Sequence, residues 1–243
     1  MVIIFGSSGN LGLAISELVL RDYQDVVLMT ANSSLKDIQQ YEEIYPGKAI
    51  IKKCDVSQPS DIVNIFDYIE KNNIIISSIV NNFAFTFSDN GNKNFSSHSA
   101  DVKKVFEINY FGLAKILELT ASWALKHEVS GLRVVNILSN SIKTLNASNS
   151  HYIASKSAVE SLTRIYAKQY SQFMAINCVA PGLMKSKLTE ARFESTAQSI
   201  IELTPLGRLA NVDEIAEVVR YFTLLSPISV CGQTVYVDGG RTL

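Results

Sequence analysis

A tyrosine and a lysine four positions apart are the residues in this sequence best suited to move a proton. Tyr152 and Lys156 share one face if the segment that carries them is helical. A free phenol has a pKa of about 10, and a nearby ammonium group stabilises the phenolate and lowers that pKa. The hydroxyl of Ser139, which precedes this pair, could hydrogen-bond a substrate carbonyl. The three side chains predict acid–base catalysis on a carbonyl or alcohol, although a tyrosine and a lysine one turn apart also occur together by chance.

A glycine-rich turn near the start of the chain could hold the phosphates of a dinucleotide. It stands between an apolar run, Val2–Phe5, and a segment with helical spacing. Glycines permit a sharp turn and let backbone N–H groups approach a pyrophosphate, and the N-terminus of the next helix adds a partial positive charge. A turn of purely structural purpose is the alternative. The residues predicted to contact the cofactor here are Gly6, Ser8, Gly9, Asn10, Leu11 and Gly12.

The end of the second predicted strand bears on which dinucleotide would bind. An acidic residue there would accept a hydrogen bond from the ribose 2′-hydroxyl of NAD(H) and repel the 2′-phosphate of NADP(H). The chain instead has Asn32 and Ser33, with Lys36 one turn on. We therefore predict NADP(H), with NAD(H) as the alternative, since Asn32 and Ser33 could simply cap the next helix. Asp55 and Val56, after the third strand, could contact the adenine or form an ordinary turn.

The elements that must position these residues alternate between short apolar runs and segments of helical period. Such alternation predicts a doubly wound α/β domain with a Rossmann fold, in which a mostly parallel sheet of about seven strands has helices on both faces. The predicted strands are Val2–Phe5, Val26–Met29, Ala49–Ile51, Ile74–Val80, Arg133–Leu138, Ala175–Val179 and Thr234–Val237. Predicted helices include Asp61–Lys71, about Asp101–Lys126, and Asn211–Leu225 with a capping-box spacing at Asn211 and Glu214. No linker divides the chain, so residues 1–243 are predicted to form a single domain.

Two polar stretches follow predicted strands, Ser88–Ser99 after the fourth and Ser139–Ser150 after the fifth. Ligands of open α/β sheets bind outside the carboxyl ends of the strands, so both stretches are candidates to flank a site. A solvated surface loop is the alternative, and for the first stretch it is equally reasonable.

Charge and cysteine content exclude several classes of partner. The 243 residues contain 22 Lys and Arg against 23 Asp and Glu, a net charge of −1 that gives no electrostatic reason to expect nucleic acid or an anionic membrane. Cys54, Cys178 and Cys231 are widely spaced and the histidines are isolated, so we expect no disulfide framework and no metal site. No signal-peptide pattern follows Met1 and no apolar run reaches the roughly 20 residues that span a bilayer, so we expect a cytoplasmic protein.

Taken together, the motifs closely resemble those of the short-chain dehydrogenase/reductase family. The matching segments, in order, are the glycine turn, Asn81-Asn82-Phe83-Ala84, Asn109, Val134–Ser139, Tyr152-x-x-x-Lys156, Asn177–Gly182, Pro205–Arg208 and Val237–Gly240. Length and C-terminal motifs are similar to the short branch that includes 3-oxoacyl-(acyl carrier protein) reductases. Two departures are a Gly-x-x-Gly-x-x-Gly turn, typical of sugar-nucleotide-modifying relatives, and Phe83-Ala84 where the family has Ala-Gly.

The resemblance implies an NAD(P)-dependent oxidoreductase, most simply one that reduces a ketone to a secondary alcohol with NADPH. Tyr152 would donate the proton in reduction and accept it in oxidation, while Lys156 would lower the pKa of Tyr152 and hold the nicotinamide ribose. Ser139 would orient the carbonyl, and Asn109 would support a water relay. The remaining cofactor contacts implied are Asn82, Phe83 and Ala84 along the ribose, and Pro181, Gly182, Met184 and Ser186 beside the nicotinamide.

The resemblance also bears on assembly and on the alternatives. Similar proteins form dimers that often pair into tetramers, so we expect a homo-oligomer, and a homotetramer in particular. A non-catalytic NADP(H)-binding sensor or scaffold is the alternative from another class, and the filled positions Asn109, Ser139, Tyr152 and Lys156 argue against it. Among enzymes, a sugar or sugar-nucleotide dehydrogenase is the alternative to an acyl thioester reductase.

Residues 183–203 are predicted to form a mobile flap over the substrate. Its apolar candidates for substrate contact are Leu183, Leu188 and Phe193, and Lys185 and Lys187 are candidates to contact an anion. Because apolar and charged candidates are mixed, the small-molecule carbonyl or alcohol substrate stays open among acyl thioesters, polyols, keto sugars and sugar nucleotides.

Overall fold

Seven parallel strands form the centre of the molecule. The computed structural model describes residues 1–87, 99–145, 150–186 and 189–243, without the side chains of residues 191 and 192. The strands are β1 Val2–Phe5, β2 Val27–Ala31, β3 Ala49–Lys53, β4 Ser78–Asn81, β5 Leu132–Ile137, β6 Met174–Pro181 and β7 Thr234–Val237. They lie in the order β3-β2-β1-β4-β5-β6-β7, and every neighbouring pair is parallel. The predicted doubly wound parallel sheet is confirmed.

Helices cover both faces of this sheet. They are α1 Asn10–Asp22, α2 Lys36–Ile44, α3 Pro59–Lys71, α4 Ser99–Phe106, α5 Leu113–Lys126, α6 Ser141–Thr144, α7 Ser150–Tyr170, α8 Glu190–Glu202 and α9 Val212–Arg220. Helices α3, α5 and α7 pack with Ile3 and Phe5 of β1 on one side of the sheet. Helices α1, α2 and α9 pack with Val2 and Ile4 on the other. The alternation of β1 between the two cores follows from the two-residue period of a strand.

The strand after α3 is shorter than its apolar run predicts. Residues 74–77 precede β4, because the N–H of Ile74 bonds to Ile69 and completes the end of α3, and the N–H of Ser77 bonds to Met1 before regular pairing begins. Ladder pairing of β4 with β1 starts at Ser78, opposite Val2.

The predicted helix over residues 101–126 is interrupted by a π-helical turn, Glu107–Gly112. Asn109 and Gly112 are the buried residues of this turn. A β-carbon on Gly112 would lie 2.5 Å from the carbonyl oxygen of Val56, so a glycine is required where the helix backbone meets the segment after β3. The interruption therefore arises from tertiary packing, as is common for π-helical turns at functional positions.

The helix that follows α8 begins as its sequence predicts. The Asn211 side chain accepts from the N–H of Glu214 at 2.8 Å, and the Glu214 carboxylate accepts from the N–H of Asn211 at 2.9 Å. Helix α9 then continues into a second π-helical turn, Tyr221–Leu225. This capping box fixes the start of α9, which packs against α1.

Several predicted features of the chain lie in part outside the described residues. These are residues 88–98 of the first polar stretch, 146–149 of the second, and Lys187 and Leu188 of the flap. Within the described ranges, no helix has both the length and the apolar composition needed to cross a membrane. The same ranges contain no group of His, Cys, Asp and Glu side chains arranged to hold a metal ion, and none of the three cysteines forms a disulfide.

Candidate active site

A cavity of about 760 Å³ lies at the carboxyl ends of the central strands, the edge predicted to bind a ligand. It brings together most of the residues that the sequence singled out from distant parts of the chain. Those lining it are Gly9, Asn10, Leu11, Asn82, Phe83, Ala84, Ser139, Tyr152, Lys156, Pro181, Gly182, Met184 and Ser186. The predicted catalytic tyrosine, lysine and serine thus face the same space as the glycine turn.

The other predicted residues lie behind or beside the cavity lining. Gly6 and Gly12 build the glycine turn from within, and Ser8 is part of the same turn. Asn109 is fully buried under the site. The remaining four, at the ends of β2 and β3, are Asn32, Ser33, Asp55 and Val56.

Each of the three positions in the turn favours glycine for a different structural reason. Gly6 has a positive φ of 81°, and a β-carbon there would overlap the carbonyl oxygen of Asn82. A β-carbon on Gly12 would overlap the carbonyl oxygen of Gly6 and lie 2.8 Å from the carbonyl carbon of Ser7. A β-carbon on Gly9 would meet nothing within 4 Å, yet Gly9 lines the cavity. Packing therefore requires Gly6 and Gly12, whereas the absence of a side chain at Gly9 leaves room for a ligand.

Gly9 is also the N-cap residue of α1, and as a glycine it has no side chain to cap this helix. The first N–H groups of a helix lack partners within it and carry a partial positive charge. An uncapped helix start beside an open glycine, facing a cavity, fits the pyrophosphate of a dinucleotide.

Polar residues after β2 and β3 bond to each other across the sheet edge. The Asn32 side-chain amide donates to the Asp55 carboxylate at 2.8 Å, and the Ser57 hydroxyl and N–H donate to it at 2.7 and 3.0 Å. Burial raises the pKa of Asp55, but the hydrogen bonds from Ser57 and Asn32 outweigh it and hold the pKa below its usual range. Asn32 anchors this carboxylate and does not cap α2, whose N-cap position is Leu35. Sequence reasoning missed the contribution of Ser57.

Lys156 is buried, with 2% of its surface exposed. Its ammonium donates to the carbonyl oxygen of Ile137 at 2.7 Å and, more weakly, to that of Phe83 at 3.5 Å. Ile137 is the last residue of β5 and Phe83 follows β4, so the ammonium lies between two strand ends. Burial lowers the pKa of Lys156 to about 8. A lysine with this pKa carries its charge at neutral pH and sits close to the point where that charge is lost.

Ser139 is oriented by Ser141, a residue that the sequence had not singled out. The Ser141 hydroxyl donates to the Ser139 oxygen at 2.8 Å and its N–H donates to the same oxygen at 3.2 Å. Because both contacts use the Ser139 oxygen as acceptor, the Ser139 hydrogen is left to donate. The serine is thus prepared to hydrogen-bond a carbonyl oxygen in the cavity.

The end of β5 is tied to the turn after β7. The side-chain amide of Asn140 donates to the buried carboxylate of Asp238 at 3.2 Å, and the N–H of Asn140 donates to the carbonyl of Pro181 at 2.8 Å. The N–H of Gly182 donates to Val237 at 3.0 Å. Neither Asn140 nor the turn at Asp238 was predicted to take part in the site, because nothing in their local sequence signals the contact.

Tyr152 lies in the first turn of α7, and the next turn fixes its backbone. The Ser155 hydroxyl donates to the carbonyl oxygen of Tyr152 at 2.7 Å, and the Asn109 amide donates to Ser155 at 3.0 Å. The four-residue spacing places Tyr152 and Lys156 on the same face of this helix, and both line the cavity. Helix α7 therefore presents a phenol and an ammonium to one space.

The segment predicted as a flap contains helix α8. Leu183 lines the cavity, and Thr189 fixes the turn before α8 by donating to the carbonyl of Met184 at 2.6 Å. Lys185 does not line the cavity. Its ammonium lies 3.5 Å from the carboxylate of Glu194, and both side chains are largely exposed. Phe193 lies beside Lys185, outside the lining. The apolar wall is formed by Leu183 together with Ile200 and Leu203, two residues that the sequence did not indicate as contacts.

Similarity to known proteins agrees with this geometry. Residues 6–242 match the model of a family described as enoyl-(acyl carrier protein) reductase. The chain is 30% identical to carbonyl reductase family member 4 of Danio rerio, over 100% of this chain and 98% of that protein. It is 23% identical to the 3-oxoacyl-(acyl-carrier-protein) reductase FabG of Thermotoga maritima, over 99% and 97%. The fold matches a gluconate 5-dehydrogenase from Burkholderia cenocepacia, solved with NADP and tartrate, with a TM-score of 0.88 at 20% identity over 99% and 94% of the two chains.

Proposed function

Because the chain belongs to the short-chain dehydrogenase/reductase family of oxidoreductases, we propose that it uses NADPH to reduce a ketone to a secondary alcohol. The observation that carries this proposal is the convergence of Ser139, Tyr152 and Lys156 on one cavity that also contains the open glycine of the turn before α1. The first three supply a hydrogen-bond donor, a proton and a cation, and the turn supplies a place for a pyrophosphate.

The residues present fit a nicotinamide dinucleotide along the length of the cavity. The turn at Gly9, Asn10 and Leu11 would hold the pyrophosphate, and Asn82, Phe83 and Ala84 would line the ribose. Pro181, Gly182, Met184 and Ser186 would border the nicotinamide side. NADPH, when bound, supplies the hydride that forms the new carbon–hydrogen bond.

The proton and the charge are handled by three side chains. The Ser139 hydroxyl donates to the carbonyl oxygen and polarises it. Tyr152 transfers its phenolic proton to this oxygen, so that the carbonyl double bond becomes a single bond with a new O–H. The Lys156 ammonium stabilises the phenolate that remains. The ketone is reduced and the cofactor is oxidised, and protein groups gain no net electrons.

The preference for NADPH over NADH is supported by the residues after β2. Asn32, Ser33 and Lys36 are exposed there, and the sequence from residue 30 to residue 36 contains no carboxylate that would repel a 2′-phosphate. Titration of the protein with NADPH and NADH, followed by the fluorescence of the reduced nicotinamide, tests the preference. We expect tighter binding of NADPH, and equal affinities would contradict it.

Assembly into a homo-oligomer is part of the same proposal. Phe111 in the first π-helical turn and Ile165 on α7 are large apolar side chains that are 60% and 58% exposed. Exposed apolar surface on neighbouring helices is typical of an interface between copies. Sedimentation at micromolar concentration should give a mass of two or four chains, and a single-chain mass would contradict this.

The substitution Tyr152→Phe tests the catalytic proposal directly. It removes the proton donor and leaves the ring, so turnover of a ketone panel should fall by about 100-fold or more while the Kd for NADPH changes little. Tyr221→Phe is the matched control, because Tyr221 is exposed and does not line the cavity. Unchanged turnover in Tyr152→Phe would refute the role of the phenol. A wild-type protein that binds NADPH and reduces no carbonyl would favour the sensor or scaffold.

A further inference from the structure

Arg241 lines the same cavity from the turn that follows β7. This turn passes through Gly239 and Gly240, whose φ angles are 68° and 85°. A β-carbon on Gly239 would lie 2.7 Å from the Thr204 side chain, so the turn can approach the end of α8 only as glycine. The N–H of Gly240 donates to the Asp238 carboxylate at 3.1 Å and fixes the turn. The backbone thus delivers an arginine to the part of the cavity bounded by α8.

Within the described residues, the charge of the Arg241 guanidinium and most of its N–H donors have no protein partner. Among the described residues it forms no ion pair with a carboxylate, including Asp238, which accepts instead from Asn140 and Gly240. Its single side-chain hydrogen bond within the described chain goes from Nη1 to the carbonyl of Ile200 at 3.2 Å. A guanidinium has five N–H donors in a planar fork, so most of them are available to a ligand.

Arg241 is not needed to satisfy the carbonyl groups at the C-terminus of α8. The Ile200 carbonyl already accepts from the Thr204 hydroxyl at 2.7 Å and from the N–H of Leu203 at 3.2 Å. A carbonyl oxygen has two lone pairs, and these two donors satisfy it without Arg241. The hydrogen bond from Arg241 to the Ile200 carbonyl therefore holds the guanidinium in place and is not needed to satisfy the end of α8.

The charged side chains in the described lining of the cavity are all cationic. Its described lining contains two permanently or mainly cationic side chains, Lys156 and Arg241, and no Asp or Glu. Lys156 is engaged with the Ile137 carbonyl beneath the catalytic tyrosine. Arg241 is therefore the cation of the described lining that remains for the substrate. Around it, Leu183, Ile200 and Leu203 supply apolar surface for a short carbon chain.

We propose that Arg241 binds an anionic group of the substrate, so that the ketone reduced at Tyr152 also carries a carboxylate or a phosphate. This inference rests on the proposed reductase function and specifies its substrate class. The planar fork of the guanidinium matches both anions, which it binds through paired charge-assisted hydrogen bonds. The substrate lies with its carbonyl at Ser139 and Tyr152 and its anionic end at Arg241.

Matched pairs of substrates test the proposal. The first arm uses 2-, 3- and 4-oxo acids beside their methyl esters, and the second uses dihydroxyacetone phosphate beside dihydroxyacetone, so the two arms distinguish carboxylate from phosphate. Wild-type protein should show a kcat/KM about 10- to 100-fold higher for the anionic member of at least one pair. Arg241→Gln should raise KM for that anion by a similar factor and leave the neutral member nearly unchanged. Arg241→Lys keeps the charge without the fork and should fall between them.

Lys185→Gln is the matched control. It removes a cation that lies between the lining residues Met184 and Ser186 in the sequence but does not itself line the cavity. It should retain the wild-type anion preference. The proposal is overturned if wild type reduces both members of every pair equally, or if Arg241→Gln lowers both to the same extent.

Binding of simple anions separates this inference from the reductase proposal. Malonate and inorganic phosphate are added in turn to the NADPH-saturated protein, and the melting temperature is followed. At least one should stabilise wild type and Lys185→Gln and have much less effect on Arg241→Gln. If no ketone is reduced but this pattern holds, the reductase proposal fails and the anion site stands. Equal responses of the three proteins overturn the anion site.

Discussion

The side-chain amide of Asn109 holds the backbone of Phe85 through two hydrogen bonds. Asn109 Oδ1 accepts from the N–H of Phe85 at 2.7 Å, and Nδ2 donates to the Phe85 carbonyl at 3.0 Å and to the Ser155 hydroxyl at 3.0 Å. The resemblance implies that this asparagine supports a water relay; in the structure both N–H groups of its amide donate to protein atoms and its carbonyl oxygen accepts one hydrogen bond. Its side chain positions the segment after β4 against α7, the helix that carries Tyr152.

Substitution of Asn109 by Ala should therefore affect folding before it affects chemistry. It would remove the Asn109 partners of the half-buried Phe85 backbone and of the fully buried Ser155 hydroxyl, and a buried unpaired group costs about 1–3 kcal/mol. We expect the free energy of unfolding to fall by about 2–4 kcal/mol in urea denaturation. Asn72→Ala, which removes an exposed amide contact to Tyr68, should change it by less than about 0.5 kcal/mol. A wild-type stability for Asn109→Ala would show that these contacts contribute nothing.

Two glycines of the same turn should differ in how much stability is lost when each is replaced by alanine. At Gly12 the new β-carbon would overlap the Gly6 carbonyl, so Gly12→Ala should destabilise the fold by about 3 kcal/mol. At Gly9 the β-carbon meets no protein atom within 4 Å, so Gly9→Ala should cost about 1 kcal/mol or less, mainly through the weaker helix start.

Binding of NADPH completes this comparison. In Gly9→Ala the methyl group occupies the cavity where the pyrophosphate is proposed to lie, so the Kd for NADPH should rise by about 10-fold or more. Thermal unfolding and fluorescence titration of the two variants measure the two effects separately. Unchanged NADPH affinity in Gly9→Ala would mean that the cofactor does not approach this turn.

Some features of the fold and of the candidate site can be predicted from the sequence, and others cannot. The glycine turn, the alternation of strands and helices and the Asn211–Glu214 cap depend on residues that are close in the chain, so the sequence predicts each of them. The bond from Lys156 to the Ile137 carbonyl, the Asn140–Asp238 contact and the position of Arg241 join residues that are distant in sequence. Their types carry no local signal, because an arginine after a pair of glycines is equally compatible with a solvated terminus.

The π-helical turn illustrates the same limit within one helix. The apolar spacing over residues 101–126 indicates a continuous α-helix. The interruption at Glu107–Gly112 depends on the contact of Gly112 with Val56 and on the hydrogen bonds of Asn109 to Phe85. Both partners lie in other elements, so helical periodicity alone cannot predict it.

Burial of Lys156 should make the stability of the protein depend on pH in the alkaline range. Its pKa is about 8 in the folded protein against 10.5 for an ordinary lysine. Between these values the folded protein has released the Lys156 proton while the unfolded chain still binds it, so the free energy of unfolding rises with pH. The contribution of Lys156 should increase by up to about 3 kcal/mol across this window, and below pH 8 it stays at its minimum.

Comparison with Lys156→Met isolates this contribution, because the other alkaline titrations occur in both proteins. Urea denaturation at intervals between pH 7 and 10.5 should give curves that diverge, with wild type gaining stability relative to the variant as the pH rises. Parallel curves would indicate that the buried ammonium has an ordinary pKa.

Ser141 should act on the reaction through Ser139 without touching the substrate carbonyl itself. Substitution of Ser141 by Ala removes the 2.8 Å hydroxyl contact but keeps the backbone N–H that also donates to the Ser139 oxygen. The Ser139 hydroxyl is then less restrained in donating to the carbonyl, and a neutral hydrogen bond of about 1 kcal/mol corresponds to a roughly 5-fold loss. We expect kcat to fall by about this factor, with KM for NADPH unchanged, whereas Ser139→Ala should lose about 100-fold in kcat.

Thr at position 141 restores a hydroxyl, so Ser141→Thr should recover most of the rate in steady-state assays. A Ser141→Ala variant that matches Ser139→Ala would instead make Ser141 a direct donor to the carbonyl, and one that matches wild type would show that the backbone contact alone orients Ser139.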